Sequence, residues 1–156
     1  EMDKFYLHLR PKLGAQSITM ENTLRQLMTY RQAKKPCIVG FIADQVPFWF
    51  SIHHWRTFLN HPETPVLTGT ERIAKKLGYA CFYIDVTRIK RGYYTARFVP
   101  LTTEPQKHPD FAITDMYFDA LEERIRKAPQ YWLWSHNRWK RTKERYNEII
   151  EEMHNR

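Results

Sequence analysis

The chain is poor in cysteine and has no long apolar run, and each shortage narrows what it can be. Its two cysteines, Cys37 and Cys81, show no CxxC spacing and no histidine at zinc distance, which excludes a disulfide scaffold and argues against a zinc ribbon. Each lies inside an apolar, strand-like stretch, so both are expected to be buried free thiols packing as small hydrophobes in a reducing compartment. The longest apolar run, Ile38 to Ala43, falls far short of the roughly 20 residues needed to cross a bilayer. No signal peptide opens the chain. It starts with Glu1 before Met2, as expected of an excerpt from something longer. There is no HExxH and no GxSxG, so zinc-hydrolase and nucleophile-elbow chemistry have no support.

Acid is also scarce relative to base. With 25 Lys and Arg against 17 Asp and Glu, the formal charge is +8, which favours anionic partners such as acidic lipid headgroups, phosphorylated ligands, an acidic carrier protein or nucleic acid. The excess is concentrated: Arg72 to Arg97 holds seven basic residues and one acid, Asp85. No helix-turn-helix, RNP-like or KH-like pattern accompanies it, so nucleic acid is the weaker class.

What remains is a packed, aromatic-rich chain. The apolar fraction of 42% and aromatic fraction of 15% over 156 residues fit one globular domain with a real core, not a disordered tail. Helices are predicted at Met2–Leu13, from Met20 to about Lys35, after the Thr68–Glu71 capping box, over Thr114–Lys127 and over Trp139–His154. Strands are predicted at Ala15–Thr19, Cys37–Ala43, Ala80–Thr87 and Tyr93–Leu101. Gln45–Pro65, broken by three prolines, reads as the least regular part. This alternation is an α/β order. The unbroken run Cys37–Ala43 suits a strand buried on both faces of a parallel sheet. Asp44-Gln45 would then stand at the carboxyl end of that strand, where open α/β sheets place their ligands. Asp44 either orients a cation, binds a hydroxyl or holds an arginine there, or merely ends the turn.

Two aromatic clusters complete the reading. Phe48-Trp49-Phe50 with Trp55 is either a surface for the membrane interface or an acyl chain, or core packing. Tyr131-Trp132-Leu133-Trp134-Ser135-His136-Asn137-Arg138-Trp139-Lys140 sets four large aromatics, a histidine and two basic groups side by side. Such a segment can seat itself on a fold and still present charge to a ligand. The Arg88–Arg91 turn and the Lys140–Arg145 stretch could meet phosphate, or be simply solvated.

Several passages, taken in order, resemble the bacterial lipid A biosynthesis acyltransferases, the lauroyl and myristoyl transferases of the lysophospholipid acyltransferase superfamily. They are Arg10-Pro11-Lys12-Leu13-Gly14, Gly40-Phe41-Ile42-Ala43-Asp44-Gln45, Phe58-Leu59-Asn60 leading to Pro65-Val66-Leu67-Thr68-Gly69-Thr70, and Pro129 with Tyr131 to Lys140. The last is the specific one. The resemblance implies an α/β fold, with a sheet flanked by helices and a helical C-terminal end. It implies transfer of a fatty acyl group from acyl carrier protein to a hydroxyl of a lipid A precursor, at the cytoplasmic face of a Gram-negative inner membrane. No cofactor and no metal are implied. Arg10, Asp44, Gln45 and Thr68 would lie around the acceptor and thioester, while His136 and Arg138 anchor the last helix or meet lipid phosphate.

One departure is decisive for chemistry. The superfamily's His-x4-Asp/Glu motif supplies the base that deprotonates the acceptor hydroxyl. Here the fifth residue after His8, His53, His54, His61, His108 and His136 is Leu13, Phe58, Leu59, Val66, Ile113 and Arg141, none of them acidic. No catalytic residue of that kind is therefore assigned. The 156 residues are expected to be the C-terminal part of a single acyltransferase domain, without its N-terminal membrane helix and without activity alone. A sister enzyme acting on another aminolipid or glycolipid, and a non-enzymatic basic module binding nucleic acid or lipid, are the alternatives. Acyl-chain length, acceptor and oligomeric state are not legible.

Overall fold

A computed structural model describes residues 14–155, and two compact units divide the chain at Val39/Gly40. The predicted Met2–Leu13 helix and Arg10 lie outside the described residues. In the first unit the spacing of Met20, Leu24, Leu27 and Met28 does form a helix, α1 (Met20–Gln32), which buries Leu27. Asn22 Nδ2 donates to Thr19 Oγ1 across 3.0 Å at its start. Lys34 turns left-handed at φ 51°, and the Lys35 amide reaches back to the Tyr30 carbonyl at 2.9 Å, ending the helix ahead of Pro36. Ala15–Thr19 forms no strand.

Cys37–Ala43 corrects the sequence reading. It forms no ladder with any described residue and carries no strand assignment. A strand exists only where neighbouring backbone completes its hydrogen bonds, and an apolar run does not specify that neighbour. Ile38 is 91% exposed, Phe41 and Ile42 are exposed and only Ala43 is buried. Cys37 is correspondingly exposed, whereas Cys81 is buried as expected.

The second unit keeps the mixture of helices and strands, but the described strands pair antiparallel in two separate ribbons. The first, β1 (Trp55–Phe58) and β2 (His61–Pro65), arises inside the stretch read as irregular. Pro62 and Pro65 are tolerated because both strands of a two-stranded ribbon are edges. Leu59 and Asn60 form the turn, with φ of 50° and 67°, the positive values that a two-residue type I′ connection demands. Helix α3 (Ala112–Lys127) braces this turn: Glu122 Oε2 accepts the Leu59 amide at 3.1 Å, and Arg126 donates to Asn60 Oδ1 at 3.0 Å.

Helix α2 (Gly69–Leu77) ends at Gly78 in the left-handed conformation, φ 67° and ψ 34°, with the Tyr79 amide returning to Ala74 O at 3.1 Å. Its start is not the predicted capping box, for Thr68 makes no side-chain cap. Glu71 turns away to α3 instead. Its buried Oε2 accepts both the Thr114 amide at 2.8 Å and the Thr114 hydroxyl at 2.7 Å, while Oε1 faces Lys75 Nζ at 3.0 Å. The carboxylate thus takes an N-terminal amide of another helix. Burial opposes its charge, yet the Thr114 bonds and Lys75 outweigh burial and leave its pKa below the ordinary value.

The second ribbon, β3 (Cys81–Lys90) and β4 (Tyr93–Thr102), lies where periodicity placed two strands and turns through Arg91-Gly92, with Gly92 at φ 80°. Tyr83 on β3 joins Phe58, Val66, Phe118, Leu121 and Ile125 in the main core. Phe118 meets Phe58 edge to face at 5.2 Å between centroids, a geometry worth about 1 kcal/mol beyond area burial. Helix α4 (Lys143–His154) starts four residues later than predicted, with Thr142 capping the Arg145 amide. Trp139 is instead drawn onto the first ribbon. No described helix is long and apolar enough to cross a membrane.

Candidate functional site

The aromatic run near the C-terminus is where distant parts of the second unit converge. Pro129–Tyr131 forms a single 3-10 turn after α3, and the chain then runs without regular structure to Thr142. Two indoles pin this segment down. Trp132 packs edge-on to Phe58 at 6.5 Å, and Trp139 donates Nε1 to Thr64 Oγ1 at 2.9 Å while stacking on His61 at 3.9 Å. Between them Arg138 is held inside the fold, with 6% of its surface exposed.

Three contacts fix that guanidinium. Nη1 donates to Leu133 O at 2.8 Å, Nη2 reaches Asp44 Oδ2 at 3.1 Å, and the carbon centre sits 4.0 Å above the Trp132 ring. Arginine suits this position because its planar cation can stack and hydrogen-bond at once. A buried guanidinium needs a counter-charge. Asp44, 26% exposed, supplies it and keeps a face toward solvent. Tyr117 on α3 lies within the field of the same pair: burial first, then Asp44 and Tyr83, push its phenol well above the ordinary tyrosine range, against Arg138. Tyr117 therefore stays a neutral hydroxyl at physiological pH.

The corner is not fully satisfied. Arg138 Nε, His136 Nε2 and Trp132 Nε1 are buried without a hydrogen-bond partner among the described residues. Buried polar atoms nearly always find a partner, so three such atoms within seven residues mark the segment as unusual. Asp44 and Arg138, predicted from different passages, meet at this corner, with Gln45 exposed beside Asp44; His136, two residues before Arg138, makes no side-chain contact to either that the described residues show. Thr68 is buried at the start of α2, and no hydrogen bond or ion pair among the described residues links it to Asp44. In sequence Trp132 stood in the aromatic run and Tyr117 on the inward side of the Thr114–Lys127 helix, neither with a site role. A Tyr one position before a core Phe carries no signal of its own.

A histidine–carboxylate pair also forms through tertiary contact, invisible to any His-x4-acid search. His54 Nε2 lies 2.9 Å from Asp115 Oδ1, its ring stacked on Phe111 at 4.6 Å. Asp115 also receives Arg56 at 3.2 Å, and Arg56 reaches Asp119 at 2.5 Å. With arginine already on the carboxylate, this cluster clasps the first ribbon onto α3.

The cations near the chain end are mostly committed. Lys143 faces Glu63 at 3.3 Å and Arg145 faces Glu148 at 2.5 Å. Arg141 stands over Phe48 and Trp49 at 5.7 and 5.5 Å, and Phe48 and Phe50 are exposed, so these two aromatics are not core.

The profile of the bacterial lipid A biosynthesis acyltransferases matches residues 1–141. The chain belongs to that family. Comparison with individually curated proteins returned no match. The acyltransferase match takes in both Asp44 and Arg138 and ends just before α4.

Proposed function

We propose that this acyltransferase moves a fatty acyl group from acyl carrier protein to a hydroxyl of a lipid A precursor, at the cytoplasmic face of the inner membrane. The observation that carries the reading is the buried Arg138–Asp44 pair, which joins two stretches 94 residues apart within the family match. Arg138 holds the Asp44 carboxylate at the rim, where its solvent-facing side binds acceptor hydroxyls. Arg10 neutralises phosphate or developing negative charge, Gln45 extends the polar rim, and Thr68 contributes at the start of α2. The +8 charge suits both an acidic carrier protein and an anionic bilayer surface. Proton abstraction is not assigned to any histidine described above, since none is followed by the acid of a His-x4-acid motif.

The test is transfer of labelled acyl groups from acylated carrier protein to a lipid A precursor, in native membranes carrying the protein. Asp44→Ala is expected to lower turnover on the order of 100-fold, the scale of losing a positioned polar group at a reacting centre, with protein abundance unchanged. Full turnover in Asp44→Ala membranes would refute the site, and absence of any lipid A product would refute the acceptor.

A further inference from the structure

Two neighbouring residues, Trp132 and Leu133, hold Arg138 from its own segment, and they act on different freedoms. The Trp132 ring lies 4.0 Å from the guanidinium carbon. A flat ring against a planar cation sets the plane of that cation but lets it turn within the plane. The Leu133 carbonyl, 2.8 Å from Nη1, stops the turning. Nη2 is then left on the side of Asp44 Oδ2, 3.1 Å away. The ring is itself anchored, edge-on to Phe58 at 6.5 Å and 69°, and Phe58 is fully buried in the main core. The plane of Arg138 is thus set from the core, although the stretch that carries it has no regular structure.

The residue type points the same way. Trp132 Nε1 is buried without a partner among the described residues, a cost that leucine or phenylalanine in the same slot would avoid. What tryptophan offers in return is the best aromatic face for a cation. On the other side of the pair, Asp44 gives Oδ2 to Arg138, and no hydrogen bond among the described residues takes Oδ1. The direction in which that carboxylate meets solvent therefore follows from where Arg138 is held. We propose that Trp132 is a positioning residue for acyl transfer: by fixing the plane of Arg138 it aims the Asp44 carboxylate at the acceptor hydroxyl. This role rests on the reading of Asp44 as the acceptor-binding group. Trp132 works only through Arg138, and that separates it from an indole that merely fills space.

The experiment is a double-mutant cycle read by acyl transfer in native membranes, with a spectroscopic readout on the purified 156-residue protein. Trp132→Leu should lower kcat about tenfold, the scale of one desolvated cation–π contact, and leave KM for the acylated carrier protein unchanged. Trp132→Phe, which restores an aromatic face, should stay within about threefold of the wild type. In an Arg138→Leu background, Trp132→Leu should cost less than about twofold more, because the group it acts through is already gone. A further loss of about tenfold there, or full turnover in Trp132→Leu alone, overturns the proposal. By NMR, the Arg138 guanidinium N–H signals, assigned by their loss in Arg138→Leu, should be resolved in the wild type and in Trp132→Phe. In Trp132→Leu they should exchange as fast as those of exposed arginines, and signals unchanged in that variant also overturn the proposal. Should Trp132→Leu fail to fold, Trp132→Met refills the slot with a flexible chain and no ring, and the same outcomes decide. The NMR readout needs no turnover. Full activity in Asp44→Ala membranes, with the Arg138 signals behaving as stated, would therefore reject the acceptor site and not the hold of Trp132 on Arg138.

Discussion

Two buried ionic knots in this protein look alike and behave differently. At Glu71 one oxygen takes both the amide and hydroxyl of Thr114, and the other, without a hydrogen bond among the described residues, is ion-paired with Lys75 at 3.0 Å. At Arg138 the ion pair with Asp44 is made, but three neighbouring polar nitrogens stay unpartnered. A buried charge answered by donors and a counter-ion rigidifies a fold, whereas each uncompensated polar group costs stability unless something else repays it. The first knot is therefore structural, tying α2 to α3. The second keeps the Asp44 carboxylate partly open to solvent, and that is where binding chemistry remains available.

The comparison is broken most directly at Glu71. Glu71→Ala should cost about 3–5 kcal/mol in urea unfolding, because Lys75 and the Thr114 donors lose their shared acceptor inside the fold. Activity should fall only as far as folded protein is lost. Arg138→Leu is the counterpart, fitting a hydrophobe into the same slot. It should destabilise by less, about 1–3 kcal/mol, since Asp44 is partly solvated. Transfer activity should nevertheless drop at least about 100-fold. A Glu71 variant that folds yet is inactive, or an Arg138→Leu variant that stays active, would erase the distinction.

Acid sharpens it. Burial raises the Glu71 pKa, but the Thr114 bonds and Lys75 lower it further, for a net depression. A depressed carboxylate stabilises the fold fully above its unfolded value of about 4.3. That contribution is lost as pH falls through the lower folded value. The unfolding midpoints of wild type and Glu71→Gln should accordingly draw together as pH falls below the unfolded value of about 4.3. Glu122, depressed by Arg126 and the Leu59 amide against its own burial, adds to the same acid sensitivity of the wild type. The smallest effect concerns the first ribbon: Asn60→Val at φ 67° should cost about 1–2 kcal/mol, while Asn60→Gly should stay within about 0.5 kcal/mol.

Much of the fold could be read in the chain because its signals are local. The 3.6-residue spacing in α1 and α3, Gly78 after α2, and the apolar runs on either side of Arg91-Gly92 all act within a few residues. The failures have a common cause. Cys37–Ala43 has strand composition, but composition names no pairing partner. The first ribbon was hidden because Pro62 and Pro65 argue against strands in general and not against edges. The Thr68–Glu71 box matched its pattern and lost Glu71 to a better acceptor role 43 residues away. In the site, Asp44 and Arg138 each drew attention singly, from a strand end and a basic aromatic run. Nothing in either stretch states that they touch.

By itself the sequence determined most of this protein's helices and its second ribbon, its positive charge and its kinship with the lipid A acyltransferases, because propensity, net charge and ordered motifs are properties of neighbouring residues. Tertiary structure alone decided that Arg138 rather than a nearer cation answers Asp44, that Glu71 is consumed by Thr114, and that Trp132 is braced on Phe58 beneath Arg138. Those outcomes depend on which groups share a desolvated space, and desolvation is set by packing between segments many tens of residues apart.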